Sequence, residues 1–142
     1  MDDVKALLAP LPHHLPVCPN TRLILVAIRR MGAHGLADAR AAHVFIAAFG
    51  EGFRRPLILM RALMADLAAA AADTIAIAPC CCARMTAAEQ ALVAILARVE
   101  TAPEVARLLL ADLLSTRRVD GVLSSAAAVA ACFTDEGRPI SH

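Results

Sequence analysis

Three consecutive cysteines are the residues of this chain with the most distinctive chemistry. Cys80, Cys81 and Cys82 follow Pro79 directly. If this run is extended, Cys80 and Cys82 project to one side and Cys81 to the other. Two thiolates on one side can begin a tetrahedral zinc site, which side chains from elsewhere must complete. The candidates to complete it are Cys18, His13, His14 and Cys132.

Two other roles fit the same cysteines. The run lacks the Cys-x-x-Cys spacing of common zinc sites, and free cysteines are often buried, so one alternative is three side chains packed beneath a helix. The other is a thiol-based redox sensor, because Arg84 and the N-terminus of the following helix supply positive charge that lowers a thiol pKa. The total of five cysteines is odd and does not suit a disulfide framework.

A pair of arginines is a candidate anion site. Arg54 and Arg55 directly precede Pro56, which is suited to the first turn of a helix. A helix N-terminus already carries partial positive charge, so two guanidiniums there favour an anionic partner. Either a carboxylate of the same chain or a bound phosphate fits. Arg61, in the same helix, can contribute if a groove extends inward.

The sequence contains none of the common catalytic signatures. It has no Walker loop, no His-Glu-x-x-His motif and no Gly-x-Ser-x-Gly motif. The basic first half of the chain has almost no lysine and no aromatic stacking surface, which argues against nucleic-acid binding. These patterns favour a protein that is not an enzyme.

Composition places these residues in a helical protein. The chain has 142 residues, of which 59% are hydrophobic and 3% aromatic, with a formal net charge of +1. Its most apolar stretch, residues 56–72, carries Arg61 and Asp66, so no membrane insertion is predicted. The acidic start of the chain does not resemble an export signal, which predicts a cytoplasmic protein and reduced cysteines.

Helical periods and caps predict a single all-α domain, a compact bundle of about six helices over residues 20–142, after a proline-rich arm over residues 1–19. The helix from Pro56 is apolar nearly all round and is predicted to lie at the centre, whereas Arg22 and Arg29 are predicted to share a solvated face. Residues 74–78 are predicted to be extended. The predicted helices cover 22–34, 36–49, 56–72, 87–100, 102–116 and a last one from Ser124 or Ser125 to Phe133.

Two helix starts carry a capping box. Thr86 and Glu89 bracket the start of the fourth helix, and Thr101 and Glu104 bracket the start of the fifth. In such a box the hydroxyl accepts a bond from the third N–H of the helix while the glutamate reaches back to the cap. Both boxes are predicted to form.

Several segments resemble a family of small bacterial proteins of unknown function. The resemblance covers most of the chain after the arm and is most specific at the triple cysteine with Arg84-Met85-Thr86. It implies a bacterial cytoplasmic setting and no activity or catalytic residue. The segments are Arg29-Arg30-Met31, Ala33-His34-Gly35-Leu36, Arg54-Arg55-Pro56-Leu57, Ala78-Pro79-Cys80-Cys81-Cys82 and Gly137-Arg138-Pro139.

These observations favour a non-enzymatic cytoplasmic binding or regulatory module. Its partner is predicted to be a protein, a small anionic ligand held by the arginine pair, or a second copy of the chain. The homodimer is suggested by the high apolar fraction, which can leave apolar surface exposed. The alternative is a thiol-based redox sensor or a zinc protein that uses the three cysteines.

Overall fold

The computed structural model describes residues 13–141, and this part of the chain is mostly helical. A 3-10 turn, Gly50–Phe53, joins the second helix to the third, and a small antiparallel sheet pairs β1, His13–His14, with β2, Arg84–Met85. No helix among the described residues is long and apolar enough to cross a membrane. The helices are α1, Pro19–His34; α2, Ala39–Phe49; α3, Arg54–Ala70; α4, Ala87–Arg98; α5, Pro103–Leu114; and α6, Asp120–Asp135.

The first helix begins inside the segment predicted to be an arm. Both β1 and the first residue of α1 fall within residues 1–19. Pro19 takes the first position of α1, where its missing N–H costs no helical hydrogen bond. Gly35 ends the helix with a φ of 98° and donates its N–H to the Met31 carbonyl. Residues 1–12 of the predicted arm lie outside the described residues.

Three phenylalanines form the centre of the hydrophobic core. Phe45 and Phe133 are fully buried, and Phe49 is half-buried beside them. The ring centroids of Phe49 and Phe133 lie 5.1 Å apart in an edge-to-face arrangement, and those of Phe45 and Phe133 lie 6.1 Å apart. Such pairs add a small stabilisation to the area they bury. They fix α2 against α6.

The composition of the third helix predicted that it lies at the centre of the bundle, and this prediction is wrong. The buried residues of this helix share one face, whereas Ile58 on another face is 60% exposed. Half of the exposed residues of α3 are alanines, whose small side chain loses little when it stays in water. The more enclosed helix is α1, whose buried residues include Arg29. The buried residues of α3 are Pro56, Leu57, Met60, Leu63 and Leu67.

One of the two predicted capping boxes forms. At the start of α4, the Glu89 N–H donates to Thr86 Oγ1 at 3.0 Å and the Thr86 N–H donates to Glu89 Oε1 at 2.9 Å. The box predicted for Thr101 is wrong, because α5 begins at Pro103 after Ala102, with no side-chain cap. Proline at the first helical position already removes one of the N–H groups that such a cap would satisfy.

The observed strand pairing and the observed start of the last helix were not predicted. Residues 74–78, predicted to be extended, belong to no helix or strand, and the observed sheet places His13 opposite Met85. Strands of two residues are too short to leave a period in the sequence. The last helix begins at Asp120 rather than near Ser124, because the buried Val119 carbonyl already accepts the Leu123 N–H at 2.7 Å.

The two threonines of the predicted boxes provide a matched pair of substitutions. Thr86→Ala removes the cap on the Glu89 N–H and the bond from Thr86 Oγ1 to the Ala76 carbonyl at 2.8 Å. We expect it to lower the free energy of unfolding by about 1–2 kcal/mol in a urea titration. Thr101→Ala, at an exposed residue with no capping bond, should change it by less than about 0.5 kcal/mol. Equal losses would contradict this assignment of the caps.

Candidate functional site

The three cysteines lie on a tight turn rather than on an extended strand. The Cys82 N–H donates to the Pro79 carbonyl at 3.0 Å, which makes Cys80 and Cys81 the two central residues of a β-turn. Both are exposed, whereas Cys82 is half-buried. The prediction that Cys80 and Cys82 project to one side of a strand is therefore wrong. We call residues 79–82 the cysteine turn.

The chain after the turn is held by Arg29 of α1. The Arg29 side chain is 3% exposed, and its Nη1 donates to the Cys82 carbonyl at 2.9 Å. Its Nη2 donates to the Arg84 carbonyl, also at 2.9 Å. Both carbonyls lie at or after the end of the turn, so Arg29 fixes the course of the chain that leaves it.

Arg29 is paired with Glu89, which is fully buried at the start of α4. Arg29 Nε lies 2.8 Å from Glu89 Oε2, and Nη2 lies 3.1 Å from Oε1. The same carboxylate accepts the N–H of Ala78 at 3.2 Å and the N–H of Thr86 at 2.9 Å. Among the described residues, no buried side-chain nitrogen or oxygen lacks a partner. We call this pair the clamp, because it joins α1, α4 and both flanks of the cysteine turn.

The sequence pointed to one of the two residues of the clamp. The capping box identified Glu89 but not its burial, and Arg29 was wrongly placed on a solvated face with Arg22. Arg22 is indeed exposed and donates to the Pro16 carbonyl. The available signal was the unbroken apolar run of residues 23–28, which ends at Arg29. A charged residue next to such a run needs a buried partner or a path to water.

A second arginine lies beside the turn. Arg30 donates to both carboxylate oxygens of Asp38, at 3.0 and 2.9 Å, and the charge of Arg30 interacts with Cys80. Asp38 also caps α2 by accepting the Ala41 N–H at 3.0 Å. The hydrogen bond from Arg30 lowers the pKa of the Asp38 carboxyl to about 2. Because this pKa is depressed in the folded state, the pair contributes its stability above pH 4 and loses it as the pH falls towards 2.

The remaining two cysteines differ from those of the turn. Cys18 precedes α1, and its partial burial alone would raise the thiol pKa, but hydrogen bonds with Ser141 and Thr21 outweigh burial and lower that pKa to about 6. Cys132 is buried in α6, where burial raises the pKa of its thiol. Cys18 is therefore the more reactive of these two at neutral pH.

The residues proposed as zinc ligands are only partly brought together. Strand β1, with His13 and His14, pairs with β2, which follows the cysteine turn by one residue. Within residues 13–141, however, no three His, Cys, Asp or Glu side chains are grouped so that they could hold a metal ion. Zinc binding by these residues stays a prediction.

The arginine pair has a different setting from the one predicted. Arg54 and Arg55 are the first residues of α3, and Phe53 and Arg54 both have helical backbone angles. The α-helix therefore follows the 3-10 turn with no extended residue between them, and Pro56 lies at its third residue rather than at its start. The Arg54 guanidinium lies 5.5 Å from the ring centroid of Phe53, and Arg55 Nη1 lies 3.9 Å from an oxygen of Asp135.

Arg61 has a structural partner. Its Nε donates to the Leu36 carbonyl at 2.8 Å, which ties α3 to the loop between α1 and α2. An anion held near Arg54 and Arg55 therefore depends on two exposed guanidiniums.

The clamp can be tested against an exposed ion pair of the same chain. Arg29→Ala or Glu89→Ala leaves a buried charge without its partner, so we expect each to lower the free energy of unfolding by about 3–5 kcal/mol. The double variant Arg29→Met/Glu89→Leu leaves no unpaired charge, so its loss should be smaller, but the Ala78 and Thr86 N–H groups lose their acceptor and the loss should stay measurable. Arg107→Ala, which breaks the exposed pair with Asp120, should cost no more than about 1 kcal/mol. Similar losses for Arg29→Ala and Arg107→Ala in urea titrations would contradict a buried clamp.

Anion binding by the arginine pair is measurable as a difference between variants. We expect phosphate to raise the Tm of the wild type more than that of Arg54→Ala/Arg55→Ala at matched ionic strength. Exposed charges contribute at most about 1 kcal/mol, which is about 3 °C for a chain of this length. An equal rise in both proteins would mean that phosphate acts by exclusion from the whole surface, and there would be no anion site.

Comparison with known proteins places this architecture in a family. The model of a family described as "Family of unknown function (DUF6628)" matches residues 3–131. Neither the curated proteins nor the solved structures gave a match. The matched range includes both partners of the clamp and the whole cysteine turn. Since the match extends over most of the chain, the predicted resemblance to a family of unknown function is confirmed, and the protein belongs to the family DUF6628.

Proposed function

We propose that the protein is a non-enzymatic, cytoplasmic regulatory module whose cysteine turn is its responsive element. The observation that carries this proposal is the combination of two exposed thiols with a buried clamp. Replacing a buried ion pair by apolar residues is often neutral or stabilising, so such a pair is poorly explained by stability alone. In this protein the ion pair forms hydrogen bonds with backbone groups on both sides of an exposed turn.

The surroundings of the turn support thiol exchange more than catalysis. An enzyme with a cysteine nucleophile needs a base within hydrogen-bond reach of the thiol. Within residues 13–141, no hydrogen bond joins a thiol of the turn to a histidine. Cys80 and Cys81 are exposed, so a disulfide in solution can reach their thiols.

The proposed reaction is reversible oxidation of the turn by a low-molecular-weight disulfide such as glutathione disulfide. A turn thiolate attacks one sulfur of glutathione disulfide, which breaks the S–S bond and releases one glutathione thiolate. A second turn thiolate then attacks the sulfur of the first cysteine, which breaks its bond to glutathione and releases the other glutathione thiolate. Two protein thiols thus lose two electrons in total, and their protons pass to the released thiolates.

The geometry favours Cys80 and Cys82 as the pair that closes. The Cα atoms of neighbouring residues are about 3.8 Å apart, which is shorter than the separation of about 4.4–6.8 Å found across disulfides. Residues separated by one position can reach the usual range. Because Arg29 holds the Cys82 carbonyl, closure of this ring pulls on the clamp. Oxidation should therefore accelerate amide exchange in residues 76–89.

The test uses Cys18→Ser protein, so that the thiol with the lowered pKa does not compete. Cleavage after Arg61 and Arg84 releases one peptide that contains all three turn cysteines. After equilibration with glutathione disulfide, we expect this peptide to lose two hydrogens, whereas buried Cys132 stays reduced. Cys80→Ser and Cys82→Ser should each retain a bound glutathione instead.

Two results would contradict the proposal. The turn could stay reduced at a glutathione ratio that oxidises a free dithiol, or its thiols could exchange no faster in the folded protein than in urea. A native mass spectrum of the same untagged protein also reports bound zinc, which tests the alternative function.

The proposal includes self-association of the module. Ile58 on α3 and Leu108 on α5 are 60% and 71% exposed, although both are large apolar side chains. Apolar side chains on exposed helix faces are common at interfaces between subunits. The mass in the native spectrum distinguishes a dimer from a monomer.

A further inference from the structure

A cavity of about 410 Å³ lies beside the irregular segment that connects α3 to the cysteine turn. Its walls come from α1, α3, α4 and the irregular segment between α3 and the turn. The floor is apolar and includes Met64, Leu67 and Leu92, while Ile75 and Ile77 form one side. The volume is within the range of sites for small organic molecules.

Among the described residues that line this cavity, Asp73 is the one with a charged side chain. Asp73 lines it and forms no hydrogen bond or ion pair with the described residues, and no Lys, Arg or His of the described chain lines it. An unpaired carboxylate beside an apolar floor favours a positively charged guest.

The end of α3 adds negative charge at the same place. The Ala72 N–H, which would continue the helical ladder by donating to the Ala68 carbonyl, donates to the Leu114 carbonyl at 3.2 Å. The last carbonyls of α3 therefore lack helical donors, and no basic residue lies in its last turn. Asp73 follows this negative helix end directly, an arrangement that favours a cation beside Asp73. Arg118 lies near Ala69 and Ala70 of the same turn, but it lines a neighbouring cavity and not this one.

Gly32 lines the cavity on the side of α1, opposite Ile77. A Cβ at this position would lie 3.6 Å from Ile77, which is an ordinary contact, so space does not require glycine. Glycine is also a poor helix former compared with alanine. A long side chain at residue 32 would extend over Ile77 and fill the cavity.

From these observations we infer that the cavity binds a monovalent organic cation, namely a primary amine on a short apolar body. The apolar part packs against Leu67, Ile77 and Leu92, and the ammonium group lies at Asp73 and the final carbonyls of α3. This site does not depend on the thiol chemistry proposed above, because none of its lining residues is a cysteine.

The experiment compares three probes that differ in charge and share an aromatic body: 2-phenylethylammonium, 2-phenylethanol and 3-phenylpropanoate. Binding to the reduced full-length protein is followed by titration of the methyl signals of isoleucine in NMR spectra. We expect the ammonium probe to bind tightest, the carboxylate weakest, and the shifts to be largest at Ile75 and Ile77.

Variants identify the groups responsible. Asp73→Asn should weaken binding of the ammonium probe about fivefold, the effect of one exposed ion pair, and leave the alcohol unchanged. Asp112→Asn removes the same charge from an exposed position of α5 and should have no effect. Gly32→Leu should abolish binding of all probes, whereas Gly32→Ala should retain it.

The inference is overturned if the alcohol binds as tightly as the ammonium probe, if Asp73→Asn and Asp112→Asn behave alike, or if no probe binds below about 10 mM. Circular dichroism shows whether Gly32→Leu is folded. If it is not, the comparison of Asp73→Asn with Asp112→Asn decides the question on its own.

Discussion

The ion pair between Arg29 and Glu89 is the interaction on which the rest of the candidate site depends. Removing two charges from water costs several kcal/mol for each ion, and their attraction offsets this only when the remaining donors and acceptors are satisfied. In this protein the backbone around the cysteine turn satisfies them. The pair is therefore stable because the segment has its observed shape, and the segment has that shape because the pair is present.

The irregular segment between α3 and α4 lines a cavity with some of its residues and exposes cysteines with others. Ala78 and Thr86 donate their N–H groups to the clamp, so the backbone between them is fixed although it forms no long strand or helix. On one side, Ile75 and Ile77 line a cavity. At the far end, Cys80 and Cys81 are exposed to water. A loop with few apolar contacts would ordinarily be the least ordered part of such a domain, and here buried hydrogen bonds replace those contacts.

The sequence predicted features that depend on neighbouring residues and missed those that depend on distant ones. The helical class, the ends of α1 and α2 at glycines, and the Thr86 cap follow from local patterns. Alanine concealed which face of α3 is buried, because a small side chain is compatible with either environment. The cysteines were recognised as unusual, but the chain that leaves their turn is held by a guanidinium more than fifty residues earlier. No periodicity within residues 74–86 contains that information.

The separation of the two clamp residues also has a consequence for synthesis of the chain. Arg29 and Glu89 are 60 residues apart, so a ribosome that adds 5–20 residues per second makes the arginine about 3–12 s before its partner. During that interval α1 can form as an isolated helix, but the side of it that carries Arg29 has nothing to pack against. The segment with the cysteines emerges before Glu89 as well, so its backbone has no acceptor for the Ala78 and Thr86 N–H groups until α4 is made. The clamped form of the turn therefore requires that both α1 and α4 have been synthesised.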